Sequence, residues 1–440
     1  MTIVNISLTL IPAGDKINGS SWSFATYIKN MIPESADRMI RYGGILGLMV
    51  FLLTAYLFST DKKRIPIKTV VYGLIIQFAI AVFMLKTTVG VVVFEWVNRI
   101  FVKILGYGDR GSELLFGKLV HSTDIGATLA FQALPIIIFV SALMGLLVYF
   151  GVIQFVIRIM ARMFYRTLKI TGVEAFIASL LVFMGIEAIT GVKDYIRNMN
   201  ESRIFTIMVT FMSTIAGSVM VAYMSFGAQA GHLLTASLMS APAAIVISKI
   251  MIPDVDTSES DPLHTVKIEK KGANMIEAVA NGTSEGLNLC LQIAAMLIAF
   301  MAIIHLLNGL FGAITGVTLE RFMGYLLSPV AFLIGIPPGE SIEVGTLLGI
   351  KTLFTEFISY LQLKAHILEQ TLSPRTIAIT TYALCGFTHF GSVAILLGGI
   401  GTLVPEQKPI VSRLSIKALI GGFLTTLMTA AIAGILIGAG

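Results

Sequence analysis

Residues 341–363 read SIEVGTLLGIKTLFTEFISYLQL. The stretch is apolar enough to seek lipid, yet Glu343, Gly345, Gly349, Lys351 and Glu356 interrupt it. Glycine and charge together fit a re-entrant hairpin, whose non-helical tip is tolerated at membrane depth only when it is buried in protein or lines a watery cavity. Residues 173–195, VEAFIASLLVFMGIEAITGVKDY, have the same character, with Glu174, Gly185, Glu187 and Gly191. A long span follows each hairpin, at 204–226 and 376–403. Both spans are polar at mid-membrane: Thr214, Gly217 and Ser218 in one, Gly386, Thr388, His389, Gly391 and Ser392 in the other. The pattern is a two-fold internal repeat, and corresponding broken segments in two halves point to the midplane binding site of a secondary transporter.

The composition agrees. Of 440 residues, 56% are hydrophobic and 13% charged, with a mean hydropathy of +0.87. Soluble domains carry about 25% charged residues, so an ordinary soluble enzyme is excluded. Further spans read at 42–59, 65–85, 134–155, 233–251, 287–314 and 418–437, since about 20 apolar residues cross a bilayer. Asp61, Lys62, Lys63 and Arg64 form a basic turn between the first two, which places that turn in the cytoplasm and both termini outside. Arg158, Arg162, Arg166 and Lys169 form a second basic stripe, and residues 253–271 and 405–417 are further cytoplasmic loops. Residues 89–116 carry Glu95, Arg99 and Lys103 on one helical face, which suits a helix lying in the interface. The net charge of +6 arises from these short clusters, an orientation signal and not a nucleic-acid face. Residues 1–38 are polar without a basic-then-apolar start, so no cleaved signal peptide is expected. Cys290 and Cys385 lie inside apolar runs, and neither a disulfide framework nor a zinc cluster is on offer.

A carboxylate at membrane depth costs several kcal/mol unless it is paired, protonated or wet. Glu187 and Glu356 are therefore the prime functional candidates, although each could instead cap a hairpin tip by accepting backbone N–H bonds. His389, with glycines on both sides, reads as part of an unwound helix facing a cavity, or else as a histidine bonded to a neighbouring helix. Phe387 and Phe390 could stack on a planar ring or simply pack. The sequence holds no His-Glu-x-x-His zinc motif, Walker-type loop or Gly-x-Ser-x-Gly elbow, so an enzyme is not expected.

The run from Gly349 through Lys351, Thr355, Glu356 and Phe357 to Tyr360 resembles the Gly-x-Lys-x-x-x-Asn-Glu-Phe-x-x-Tyr motif of concentrative nucleoside transporters. Residues 382–401 and 213–223 resemble the spans that follow the hairpins in that family, and the similarity extends from about residue 42 to the C-terminus. The resemblance implies an all-α integral membrane protein with eight transmembrane helices, two re-entrant hairpins in an inverted repeat, interfacial helices and a homotrimer. It implies nucleoside uptake across the cytoplasmic (inner) membrane, driven by a proton or sodium gradient, with no other cofactor and no nucleic-acid partner.

Residue by residue, Glu356 matches the glutamate that holds the ribose hydroxyls, Ser392 a second ribose contact, Phe387 an aromatic beside the ligand and Val219 an apolar contact. Gly185, Ile186 and Glu187 stand where the family commonly has Gly-Gln-Thr/Ser-Glu, which reads the base, and His389 stands at a ribose-binding Asn. For the cation, Thr214, Ile215 and the carbonyl of Met184 match the family's sodium ligands, while Leu181 replaces an Asn. Losing that oxygen weakens a site for a hard cation, whereas Glu187, Glu356 and His389 can carry a proton. The proton is the favoured coupling ion. The chain divides into a polar segment (1–38), an N-terminal hairpin with its interfacial helix (39–118), a gate-like first repeat (119–230) and a C-terminal transporter region (231–440). A membrane receptor or regulatory subunit that keeps the pocket without transport is the alternative reading. An enzyme acting on a nucleotide headgroup would need a nucleophile or metal cluster that the sequence lacks.

Overall fold

The computed structural model describes residues 34–121, 129–185, 189, 192–254 and 272–438, with side chains from residue 42 onward. Ile186, Glu187 and most of the stretch 253–271, expected to be a cytoplasmic loop, lie outside them. Among the described residues the chain is helical, with no strand.

Helices α1 (Glu34–Leu57) and α2 (Ile67–Lys86) form the first hairpin around the basic turn. Thr60 N–H donates to the Met251 carbonyl at 2.9 Å, which ties that turn to the end of a later span. Helix α3 (Thr88–Phe116) starts where the Thr87 hydroxyl accepts the Gly90 N–H. Its exposed Glu95 and Arg99 pair at 3.6 Å, and Trp96, Leu114 and Leu115 are exposed as well. The expected span 134–155 is not one helix. Helix α4 (Leu134–Tyr149) stops, Gly151 turns the chain at φ +80°, and α5 (Val152–Leu168) begins. A left-handed residue inside an apolar run leaves no hydropathy signal, which is why the break escaped the sequence reading. Arg158, Arg162 and Arg166 are exposed on α5, and Ile157, Ala161, Phe164 and Leu168 on its other face are buried.

Next come α6 (Gly172–Leu181), α7 (Lys193–Ile196), a broken span made of α8 (Glu201–Ser213) and α9 (Gly217–Ser225), and α10 (Ala230–Met251). Helix α11 (Met275–Thr315) is longer than the expected 287–314: Asn274 caps its start, and nothing stops it before Gly316 turns left-handed. Helix α12 (Leu319–Leu333) was not foreseen, because Glu320, Arg321 and Pro329 interrupt its apolar face. After it α13 (Ser341–Leu353) and α14 (Glu356–Leu368) form a helical hairpin, α15 (Pro374–Leu384) and α16 (Phe390–Leu403) form a second broken span, and α17 (Lys408–Leu436) follows. Six stretches of the described residues are long and apolar enough to cross a membrane, including Glu201–Ser225 across its break. Three shorter apolar helices, Tyr42–Leu57, Gly172–Leu181 and Phe390–Leu403, accompany them.

The two broken spans meet at their breaks. Gly386 adopts φ +134°, and a Cβ there would lie 2.9 Å from the Met212 carbonyl oxygen and from Ser213 backbone atoms, so only glycine allows the crossing. Residues 202–213 of α8 are all buried, which sets this crossing in the core.

Each hairpin is pinned to the core by a buried lysine. Lys249 of α10, 3% exposed, places Nζ 2.8 Å from Glu174 Oε1 on α6 and 3.2 Å from Ser202 Oγ. Asp254, 3.6 Å from the same ammonium, also meets Arg203. Lys351 of α13, fully buried, donates to the Ala383 carbonyl at 2.7 Å and to Thr426 Oγ1 at 3.2 Å. The Ala383 carbonyl lies in the last turn before the break of the second span, where the ladder has run out of N–H donors. Outside the repeats, α11 is locked onto α4 by small residues. A Cβ on Gly282 would meet the Ser141 carbonyl at 2.5 Å, and one on Gly286 the Ile138 Cα at 2.8 Å.

Lys249→Met should strand the Glu174 carboxylate and cost about 3–5 kcal/mol. A thermal melt in detergent should show the loss, and Glu174→Gln with Lys249→Met should recover most of it. Gly282→Leu should cost at least about 1–3 kcal/mol by forcing α11 off α4, read in the same assay.

Candidate functional site

The hairpin of α13 and α14 breaks at Phe354 and Thr355. Thr355 is extended (φ −166°, ψ 149°), and its hydroxyl accepts the Phe357 N–H at 3.3 Å, capping α14. Glu356 is thus the first helical residue, at the positive end of a helix, where a carboxylate is favoured. Its carboxylate, in a residue 2% exposed, takes the Tyr223 O–H on Oε1 at 2.7 Å. His389 Nε2 lies 3.1 Å from Oε2, and the Thr355 hydroxyl 3.4 Å from the same oxygen. Tyr223 is fixed by stacking on Tyr360, with ring centroids 4.2 Å apart, and by an edge contact with Phe357. Three separate elements therefore converge on one charge.

His389 belongs to the unwound stretch between α15 and α16 and is 2% exposed. Gly391 makes room for its ring, since a Cβ there would lie 2.9 Å from Nδ1. With Nε2–H directed at Glu356, neutral imidazole leaves Nδ1 as an acceptor, and imidazolium turns it into a donor. Nδ1 has no hydrogen-bond partner among the described residues, and neither have Thr388 Oγ1 and Ser392 Oγ nearby. Buried polar atoms are normally paired, so orphans clustered at one place mark where a polar ligand would be received.

A cavity of about 160 Å³ is lined by His389 and Glu356. Gly185, Val219, Glu356, Phe387 and His389, all singled out from the sequence, line it. Phe387 stacks on Phe211, centroids 5.6 Å apart. Phe390 is 51% exposed and does not line the cavity, so its proposed stacking role falls away. Ser392 is buried one turn into α16, its N–H bonded to the His389 carbonyl, and it does not line the cavity. Ile186 and Glu187 lie outside the described residues.

Of the residues considered for a cation, Thr214, Ile215 and Met184 lie where the end of α6 meets the break of the first span, and His389 lies at Glu356. The Thr214 hydroxyl lies 2.9 Å from both the Leu181 and Thr210 carbonyls. The Val182 carbonyl accepts from Ser237 Oγ, and the Phe183 carbonyl from the Gly217 N–H. The end of α6 is thereby docked into the break of the first span. Leu181, 1% exposed, offers no side-chain oxygen, and Ile215 is equally buried. Met184 lines a second cavity of about 320 Å³ that shares Ala216, Leu289 and Gln292 with the first. Among the described residues no group of His, Cys, Asp or Glu is arranged to hold a metal ion. Tyr223, Phe211 and Gln292 were not recognised beforehand as site residues. The spacing of Val219 and Tyr223, one helical turn apart, was the available signal for the tyrosine.

Three family profiles match the chain: "Na+ dependent nucleoside transporter N-terminus" over residues 46–119, "Nucleoside recognition" over 130–230 and "Na+ dependent nucleoside transporter C-terminus" over 232–434. An uncharacterised transporter of Bacillus subtilis, YutK, is 37% identical over 402 residues, covering 90% of this chain and 99% of YutK. The nucleoside permease NupC of Helicobacter pylori is 36% identical over 409 residues, covering 90% and 97%. Among solved structures, CNTnw in an inward-facing substrate-bound state superposes with a TM-score of 0.86 at 34% identity, covering 91% of this chain and 98% of that one. A doubly substituted CNTnw in an outward-facing state gives the same score and identity, covering 91% and 99%. The chain belongs to the concentrative nucleoside transporter family, a family of membrane transporters and not of enzymes.

Proposed function

We propose that this protein imports nucleosides across the cytoplasmic membrane together with a cation, and that the cation is a proton. The observation that carries the reading is the buried Glu356 carboxylate, held by Tyr223 and His389 and open to a cavity lined by Phe387 and Val219. A carboxylate accepts from two vicinal hydroxyls at once, which is the chemistry of a ribose diol. His389 Nδ1 supplies a further polar contact, Ser392 Oγ a reserve partner, and Phe387 an apolar face for a planar ring.

Proton coupling follows from the same pair. Leu181 withholds an oxygen where a sodium ion would need one, and Thr214 is already engaged with backbone carbonyls. Glu356 and His389 share a hydrogen-bonded contact that can take up one proton, with Tyr223, Tyr360, Lys351 and Cys385 as the other ionisable neighbours. Glu187 adds a second acceptor by sequence. Met184, Ile215 and Thr214 then serve to dock the first hairpin, and Gly185 and Ile186 to approach the substrate from its tip. The two repeats would move as a unit against a trimeric scaffold that includes α3 and α11, with the basic turn 61–64 inside the cell and both termini outside. We keep the four-part division of the chain, at 38, 118 and 230, as part of this reading.

In proteoliposomes, an inward proton gradient should drive saturable accumulation of uridine or adenosine, and a sodium gradient alone should not. Glu356→Gln should weaken nucleoside binding roughly ten- to hundred-fold, the value of a hydrogen bond to a charged group. Binding without gradient-driven uptake would favour a receptor. His389→Gln should keep part of the binding and lose the response to the proton gradient. Sodium-driven uptake that persists in His389→Gln would rule out the proposed proton role.

A further inference from the structure

The cavity at Glu356 is polar at one end. Glu356, His389 and Thr355 close that end, and Phe211, Val219, Met296 and Phe387 give the walls no hydrogen-bonding side chain. Among the described residues the other hydrogen-bonding side chain lining the cavity is Gln292 of α11, which also lines the second, larger cavity. Asn288 and Glu285 line that second cavity with Ser218 and Ser141. Glu285, Asn288 and Gln292 are spaced i, i+3, i+7 and so share one face of α11. The contact of Gly282 and Gly286 with α4 fixes how that face is turned. Asn288 and Gln292 are exposed in the chain, and among the described residues neither makes a hydrogen bond within the protein. One uncommitted carboxamide, Gln292, thus stands on the cavity that holds the carboxylate, and a second, Asn288, stands in the adjoining cavity.

A carboxamide presents a donor and an acceptor side by side. The complementary chemistry is a heterocycle with an acceptor next to an exocyclic amine, as on the N6/N7 edge of adenine, which Asn and Gln contact in bidentate fashion. An apolar corridor between a diol-binding carboxylate and an edge-reading amide would suit a molecule with a sugar at one end and such a base at the other. We propose that Gln292, backed by Asn288, is the specificity-determining residue that reads the edge of the nucleobase while the sugar lies at Glu356. This rests on the nucleoside reading above and adds the residues that choose among nucleosides. Gln292 stands on a helix outside both repeats, so its contact forms only in states that bring the cavity against α11.

Two matched probe pairs test it in competition uptake assays on the whole protein: adenosine against purine riboside, which lacks the 6-amino group, and cytidine against the riboside of pyrimidin-2-one, which lacks the 4-amino group. The wild type should favour the amino member of each pair it takes up by roughly five- to hundred-fold. Gln292→Leu should bring that ratio close to one, leaving unchanged the preference for adenosine over 2′-deoxyadenosine, which Glu356→Gln should erase. Gln292→Glu, of the same size and still an acceptor for the amine but without a donor for the ring nitrogen, should keep the amino preference while weakening uptake of both members, which separates edge reading from packing. Equal loss for both members of a pair in Gln292→Leu, or an unchanged ratio, would overturn the assignment with the nucleoside reading intact. A wild type that takes up none of the four ribosides would instead overturn the nucleoside reading and this assignment with it.

Discussion

One buried carboxylate organises this protein. Glu356 sits where water cannot solvate it freely, so the chain must bring donors to it or keep it neutral. It does so with a tyrosine from the first repeat, a histidine from the break of the second, and a helix start whose dipole favours negative charge. None of these groups would be in reach unless both long spans were interrupted and crossed at their interruptions. Gly386 permits that crossing, and the site lies beside it.

The same requirement explains the buried lysines. A helix that ends inside an apolar core leaves its last carbonyls without partners, and they must be met. Lys351 meets one at the end of α15, and Thr214, Ser237 and Gly217 meet those at the end of α6. The first repeat uses hydroxyls and an ion pair with Glu174 for what the second does with an ammonium on carbonyl and hydroxyl oxygens. The two halves of the repeat have thus reached the same geometry by different chemistry.

Much of this was legible in the residues. Glycine and polar residues inside apolar runs marked the breaks near Thr214, at Thr355 and before His389, because an irregular backbone accommodates that combination. Glu356 and His389 were each found as candidates, yet their pairing depends on how α15 folds back over α14, which no local pattern encodes. The break at Gly151 and the helix α12 were missed because hydropathy does not register a left-handed turn or an amphipathic face. The amides of α11 escaped notice for a related reason: isolated polar residues on a long span have no meaning until a neighbouring helix fixes which way they face.

The central claim is that substrate and coupling ion meet at the contact between Glu356 and His389. Titration calorimetry of nucleoside binding in buffers of different ionisation enthalpy, on the wild type and on His389→Gln, tests it most directly. Net uptake of a proton on binding by the wild type, abolished in His389→Gln, is the predicted result. Binding with no proton exchange and an affinity that depends on sodium would contradict it.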